Sequence, residues 1–253
     1  MIFYFTGTGN SLVTAQRLSN RDTLVSIGDA MRKEIFNYDA GNESKIGFVM
    51  PVYCFGIPSI VLEFIDKLKL LKMSSAYIYL VLTCGGKTGA AGDMFAKALK
   101  AKGITLDARF SVKFASNYIV LSEPPLPPIQ EKIQKNASRA IIGIREQLNK
   151  RVPGDHDGLK GILPSMVTAL AYPFYSRMRS TKNFNVNTKC KACGACANHC
   201  PERAIEMHDG IPVWVQPKCT LCMACINRCP CDAINIGKRT EGRRRYVNHH
   251  SGL

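Results

Sequence analysis

Acidic residues are scarce in this chain: 19 aspartates and glutamates stand against 34 lysines and arginines, a formal net charge of +15. No apolar run reaches the roughly 20 residues a membrane-spanning helix needs. The longest, Ile162 to Tyr175, is too short and carries Pro164 and Pro173. The start, Met1-Ile-Phe-Tyr-Phe-Thr-Gly, lacks the basic region, apolar stretch and cleavage site of a signal peptide and reads as a strand. A cytoplasmic location without a transmembrane segment is therefore expected. The positive surplus favours an acidic partner. Nucleic acid is the other usual partner of such charge, but no recognition motif accompanies it, so none is expected. A Ser/His/Asp triad and paired carboxylates are also missing, and His199 and His208 read as surface residues, leaving no catalytic residue to name.

Cysteine, by contrast, is plentiful and ordered. Eight of the 11 cysteines form two copies of one pattern, Cys190-x2-Cys193-x2-Cys196-x3-Cys200-Pro201 and Cys219-x2-Cys222-x2-Cys225-x3-Cys229-Pro230. The offset of 29 residues also superposes Ala204-Ile205 on Ala233-Ile234, so this is an internal repeat. A cubic iron–sulfur cluster needs four converging thiolates, and the x2, x2 spacing wraps three around one face. Zinc ribbons pair shorter knuckles across a longer loop, and disulfide frameworks belong to small secreted chains. The pattern resembles the bacterial two-cluster ferredoxins, in which each fourth ligand comes from the other copy. That resemblance implies two [4Fe-4S] clusters, one on Cys190, Cys193, Cys196 and Cys229, the other on Cys200, Cys219, Cys222 and Cys225. Cys231 is left over and reads as inert.

The first part alternates strand-like and helix-like segments, which argues for a parallel sheet covered on both faces. Strands are expected at Ile2 to Phe5, Leu24 to Ile27, Lys45 to Met50, Ala76 to Thr83 and Ser111 to Phe114. Helices are expected from Ser11 to about Asn20, Ser59 to Leu71, Ala90 to Lys102 and Pro128 to Lys150. Thr6-Gly7-Thr8-Gly9-Asn10-Ser11 lies between the first strand and the first helix, where unpaired helix-start donors and hydroxyls suit a phosphate. No lysine follows and Leu12 stands where a third glycine would be, which argues against nucleoside triphosphates and NAD.

This loop resembles the FMN phosphate loop of flavodoxins, T/S-x-T-G-x-T/S. The resemblance implies a doubly wound five-stranded parallel sheet with FMN at the switch point. The loop Pro51-Val52-Tyr53-Cys54-Phe55-Gly56 and the glycine-rich Thr83-Cys84-Gly85-Gly86 should then approach the flavin ring, with Tyr53 or Phe55 packed on it. Cys54 and Cys84 read as buried, unreactive thiols. Asn117-Tyr118-Ile119, followed by the prolines from Pro124 to Pro128, extends the resemblance to flavodoxin and diferredoxin fusions of anaerobic bacteria and archaea.

The expected organisation is an FMN domain over residues 1–158, a helical linker over 159–185, a small α+β diferredoxin domain over 186–238 and a basic tail over 239–253. The linker carries Leu159, Ile162, Leu163, Met166, Val167, Leu170, Phe174 and Met178 at helical spacing. The plain reading packs them against the first domain, the other lays them on a membrane surface beside Arg177, Arg179 and Lys182. The tail, with Lys238, Arg239, Arg243, Arg244 and Arg245, reads as solvated. Clusters and FMN together imply an electron carrier that exchanges low-potential electrons with a partner redox protein, such as an acidic ferredoxin, flavodoxin or reductase. The alternatives are an FMN-dependent reductase of a small molecule and a redox sensor; a homodimer is left open.

Overall fold

The computed structural model describes residues 1–73 and 75–253. The strands β1 (Ile2–Tyr4), β2 (Leu24–Ser26), β4 (Lys45–Pro51), β6 (Tyr77–Cys84), β7 (Ala108–Lys113) and β8 (Gly154–His156) form one parallel sheet in the order β2-β1-β4-β6-β7-β8. The order in which strands are added reverses at β1 and β4, and this is the switch point of a flavodoxin-like doubly wound fold. All eight residues of β6 are buried, as a strand covered on both faces requires.

Alternation along β1 sends Phe3 to one face and Ile2 to the other. On the first face Phe3, Phe48, Phe64 and Phe95 join α3 (Ser59–Lys67) and α4 (Ala91–Ala101) to the sheet. On the second, Ile2, Val81 and Phe110 meet Ala137, Ile141, Ile144 and Leu148 of α5 (Pro127–Asn149), beside Ala15 and Leu18 of α1 (Asn10–Leu18).

Three elements depart from expectation. β8 adds a sixth strand that its Gly-Asp-His composition hides. Ser26 caps the short α2 (Ile27–Lys33) by accepting from the Asp29 amide at 3.1 Å. The expected helix to Leu71 stops at Lys67: although Leu68 and Leu71 keep the helical period, Lys69–Leu71 becomes β5 and pairs with β3 (Asn37–Asp39).

The linker forms α6 (Pro164–Met178). Beyond it, β9 (Phe184–Val186) pairs with β12 (Ile234–Ile236), and β10 (Ile205–His208) with β11 (Ile211–Trp214). The short helices α7 (Ala195–Asn198) and α8 (Ala224–Asn227) each contain the third cysteine of a copy, Cys196 and Cys225. The repeat is also conformational. Ala192 and Leu221, Gly194 and Met223, and Arg203 and Asp232 are left-handed pairs at the same 29-residue offset.

The last residues are not a free solvated tail. Arg243, Arg244 and Arg245 donate to the carbonyls of Ile119, Pro124 and Ile234, and Tyr246, Asn248 and Ser251 are buried. Buried backbone acceptors, more than solvent, decide where these cations go.

Candidate functional site

A cavity of about 430 Å³ opens at the C-terminal edge of the sheet. It is lined by Thr6, Gly7, Thr8, Asn10 and Ser11 after β1, by Pro51, Val52, Tyr53 and Phe55 after β4, and by Thr83, Cys84, Gly85 and Gly86 after β6. Asn117 and Tyr118 close another side. Of the expected flavin contacts, Gly9 and Gly56 lie outside this lining. Gly9 caps α1 with φ 100°, and Gly56 leaves room for Tyr172, whose ring would lie 2.3 Å from an added Cβ.

The phosphate-type loop is held by its own side chains. Thr6 Oγ1 accepts from the Gly9 amide at 3.0 Å, Thr8 Oγ1 from the Asn117 amide group at 3.0 Å, and the Ser11 and Thr83 hydroxyls lie 2.9 Å apart. The first-turn amides of α1 have no partner within the helix and face the loop's hollow. Asn10 turns its side chain away: its Oδ1 accepts from Tyr246 and Asn248, at 2.7 and 3.0 Å, and its Nδ2 donates to Ala115. Asn248 also donates its amide to the Thr8 carbonyl at 2.8 Å, so the C-terminal segment braces the loop from behind.

After β4, Tyr53 and Gly56 exchange backbone hydrogen bonds of 2.9 Å, with Cys54 and Phe55 left-handed between them. Tyr53 meets Tyr175 edge-on at 5.9 Å, and its buried hydroxyl has no partner among the described residues. Burial pushes that hydroxyl's pKa far up, and the neighbouring Cys222 thiol adds to the shift. Cys54 is only half-buried and lines the cavity, and burial pushes the Cys84 thiol up to about 11.

Two smaller cavities divide the repeat cysteines. Cys200, Cys219, Cys222 and Cys225 line one; Cys190, Cys193, Cys196 and Cys229 line the other, with Cys231 beside them. Each set takes three cysteines from one copy and one from the other. No disulfide joins any of these cysteines among the described residues. Among the described residues no three His, Cys, Asp or Glu side chains gather as around a single metal ion.

The fourth cysteine of each copy accepts an amide hydrogen bond, Cys200 from Ala204 at 3.2 Å and Cys229 from Ala233 at 3.3 Å. This gives the repeated Ala-Ile pair a role, because such donors stabilise thiolate charge. Burial pushes Cys219 up to about 12 and raises Cys222 and Cys225 as well, so thiolates there require cations close by. Iron is such a cation, and the donor set suits it.

The large cavity and the Cys219 cavity share a wall. Leu221 lines both. A Cβ on Gly7 would lie 2.0 Å from the Cys222 carbonyl oxygen, so the phosphate-type loop rests directly on the cysteine loop. Lys87, next in the glycine-rich loop, also lines the large cavity, as do Ala115, Ser116, Leu121, Tyr175, Met178 and Leu221, which were not expected. Tyr175 and Met178 come from the linker helix and carry no motif, and Leu221 lies inside the second cysteine motif, whose spacing marks a cluster and not a wall of this cavity.

Residues 182–230 match the 4Fe-4S dicluster domain family. No curated protein matches the chain. Among solved structures it is similar to the Trp repressor binding protein from Bacillus subtilis, at 18% identity over 55% of this chain and 95% of that one, with a TM-score of 0.36. It is also similar to rubredoxin oxygen:oxidoreductase from Desulfovibrio gigas, at 18% identity over 58% of this chain and 36% of that one, TM-score 0.34. An azoreductase from Bacillus anthracis str. Sterne shares 13% identity over 59% of this chain and 99% of that one, TM-score 0.33. The chain thus joins a flavodoxin-like α/β sheet to an iron–sulfur domain, an architecture for redox electron transfer.

Proposed function

We propose that this chain passes electrons between two [4Fe-4S] clusters and FMN, and exchanges them with a partner redox protein. The observation that carries the reading is the shared wall: Leu221 belongs at once to the cavity at the switch point and to the one lined by Cys200, Cys219, Cys222 and Cys225. When bound, the clusters supply one-electron chemistry and the flavin both one- and two-electron chemistry. The residues do the rest. Thr6, Thr8, Ser11 and the α1 amides would hold the phosphate, and the loops at Tyr53 and Gly85 would flank the ring. The cavity volume supports a ligand of this size, since small-molecule pockets run from about 300 to 1,000 Å³.

Cys193 is exposed and Cys190 lies between Lys189 and Lys191, both exposed. A cationic rim around the outer thiolate set favours an acidic redox partner at that end of the chain. Cytoplasmic placement belongs to the same proposal, since free thiols and intact clusters need a reducing compartment.

Anaerobic purification should yield about eight irons per chain and one FMN. Rapid mixing with a one-electron reductant should then reduce the clusters and the flavin together. A protein that binds zinc, or whose flavin reduces independently of its clusters, would contradict the reading. Rapid flavin reoxidation by a small molecule, but not by redox proteins, would instead favour the reductase alternative.

A further inference from the structure

Helix α6 is turned inside out. Its inward side is polar: Thr168 Oγ1 accepts from the Ala90 amide at 2.8 Å and donates to the Phe55 carbonyl at 2.9 Å, and the Tyr172 hydroxyl donates to Ile57 at 2.6 Å. Tyr175 accepts from the Ser59 amide and donates to the Thr220 carbonyl, and Arg179 Nε donates to the Cys219 carbonyl. Its outward side is apolar. Leu163, Met166, Leu170, Phe174 and Met178 follow one another at intervals of three or four residues, and all are exposed, Leu170 by 66% and Phe174 by 57%. Ile162, just before the helix, is 87% exposed. The helix thus packs against the first domain, as the plain reading expects, but through its hydroxyls and without these exposed apolar side chains. The hydroxyls win the inward side because α6 must satisfy buried amides and carbonyls at Phe55, Ile57, Ser59, Ala90 and Thr220.

Charge decides what covers this stripe. No aspartate or glutamate occurs from Gly158 to Pro201, while Lys160, Arg177 and Lys182 flank the stripe and Arg177 lies over the Phe174 ring. Lys87 adjoins Gly161 at the helix start. The carboxylates nearby are engaged, Asp155 with Arg109 and Lys160, and Asp157 with Thr88. A second copy would bring a like-charged face against this one, and the chain's formal charge is +15. An apolar ridge flanked by Arg177 and Lys182, with the nearby carboxylates already paired, instead matches an anionic bilayer surface, which takes such side chains below its headgroups and attracts the flanking cations.

We propose that α6 docks this protein on anionic lipid, lying in the plane of the membrane surface. Met178 ends the stripe and lines the large cavity together with Leu121, so the cavity mouth would then lie at the lipid boundary.

The test is co-sedimentation of the anaerobically purified, fully loaded protein with vesicles of phosphatidylglycerol and phosphatidylcholine, against phosphatidylcholine alone. Binding is expected to the anionic vesicles, to weaken with salt, and to fall by about 10-fold or more in the double variant Leu170→Glu/Phe174→Glu, whose visible spectrum stays unchanged. If that variant loses its spectrum, Leu170→Gln should still weaken binding by about 3-fold. Failure of the wild type to sediment with anionic vesicles overturns the proposal, as does equal binding by wild type and variants, which would mean adsorption by charge alone. Self-association that the variants abolish, or capture by an acidic ferredoxin without vesicle binding, would assign the stripe to a protein partner and overturn it as well. None of these readouts depends on which cofactors transfer electrons.

Discussion

At Gly7 a single methyl group would collide with a backbone carbonyl, that of Cys222, which has no side-chain freedom to yield. Gly7→Ala is expected to cost about 2–3 kcal/mol and to lower flavin retention, because either the phosphate-type loop or the cysteine loop must move. Gly158→Ala, outside the cavity lining, meets nothing within 4 Å and should leave both quantities unchanged. Denaturant unfolding and the flavin-to-protein absorbance ratio measure the contrast, and equal behaviour of the two variants would refute it. Tyr53 offers a second single-atom test. Its buried hydroxyl has no protein partner, so Tyr53→Phe should leave the iron-free protein as stable or raise its stability by about 1–3 kcal/mol. If a bound cofactor accepts from that hydroxyl, the loaded protein should lose stability instead, and melting both forms separates the two effects. The threonines and glycines from Thr6 to Ser11 were legible because a strand–turn–helix loop is a local pattern. Tyr175 and Met178 were not, since nothing beside them in the chain marks a cavity wall, and Leu221 was legible only as a residue between two cluster cysteines.

At the scale of elements, the short strand β8 is secured by charge as well as by backbone pairing to β7. Burial alone would raise the Asp155 carboxyl, but hydrogen bonds from Arg109, Lys160 and the Asp157 amide outweigh it and hold the group down at about 2. A carboxyl held below its ordinary value, near about 4, stabilises the fold above that value and loses the contribution as pH falls towards 2. Asp155→Asn should thus be less stable than the parent at neutral pH and converge with it under acid, as urea unfolding across pH would report. A constant difference at all pH values would count against the ion pair. Helix α6 was legible as a helix from its apolar period, yet its orientation was not. Periodicity identifies two faces; which one turns inward depends on the buried polar groups that await it, and those lie on other elements.

At the scale of the molecule, the C-terminal segment ties the iron–sulfur domain to the loop after β1. Arg245 reaches Ile234 in β12, while Tyr246 and Asn248 reach Asn10 and Thr8. Removing residues 246–253 should speed flavin dissociation by about 10-fold, the effect of losing one or two net hydrogen bonds behind the loop, while iron content stays the same. Flavin release followed by fluorescence, with iron analysis on the same sample, decides this; loss of iron with unchanged release would reverse the assignment. The twofold cysteine repeat, the phosphate-type loop and the parallel α/β order were legible in the chain alone, because ligand spacing, turn chemistry and hydrophobic period are properties of neighbouring residues. That the two cavities meet at Leu221, that Cys222 rests on Gly7, that the basic end folds back, and that α6 shows its apolar side to the outside emerged only on folding. Each of these joins residues far apart in the chain, and such a contact is settled by which buried polar atoms and which volumes remain to be satisfied once the local elements have formed.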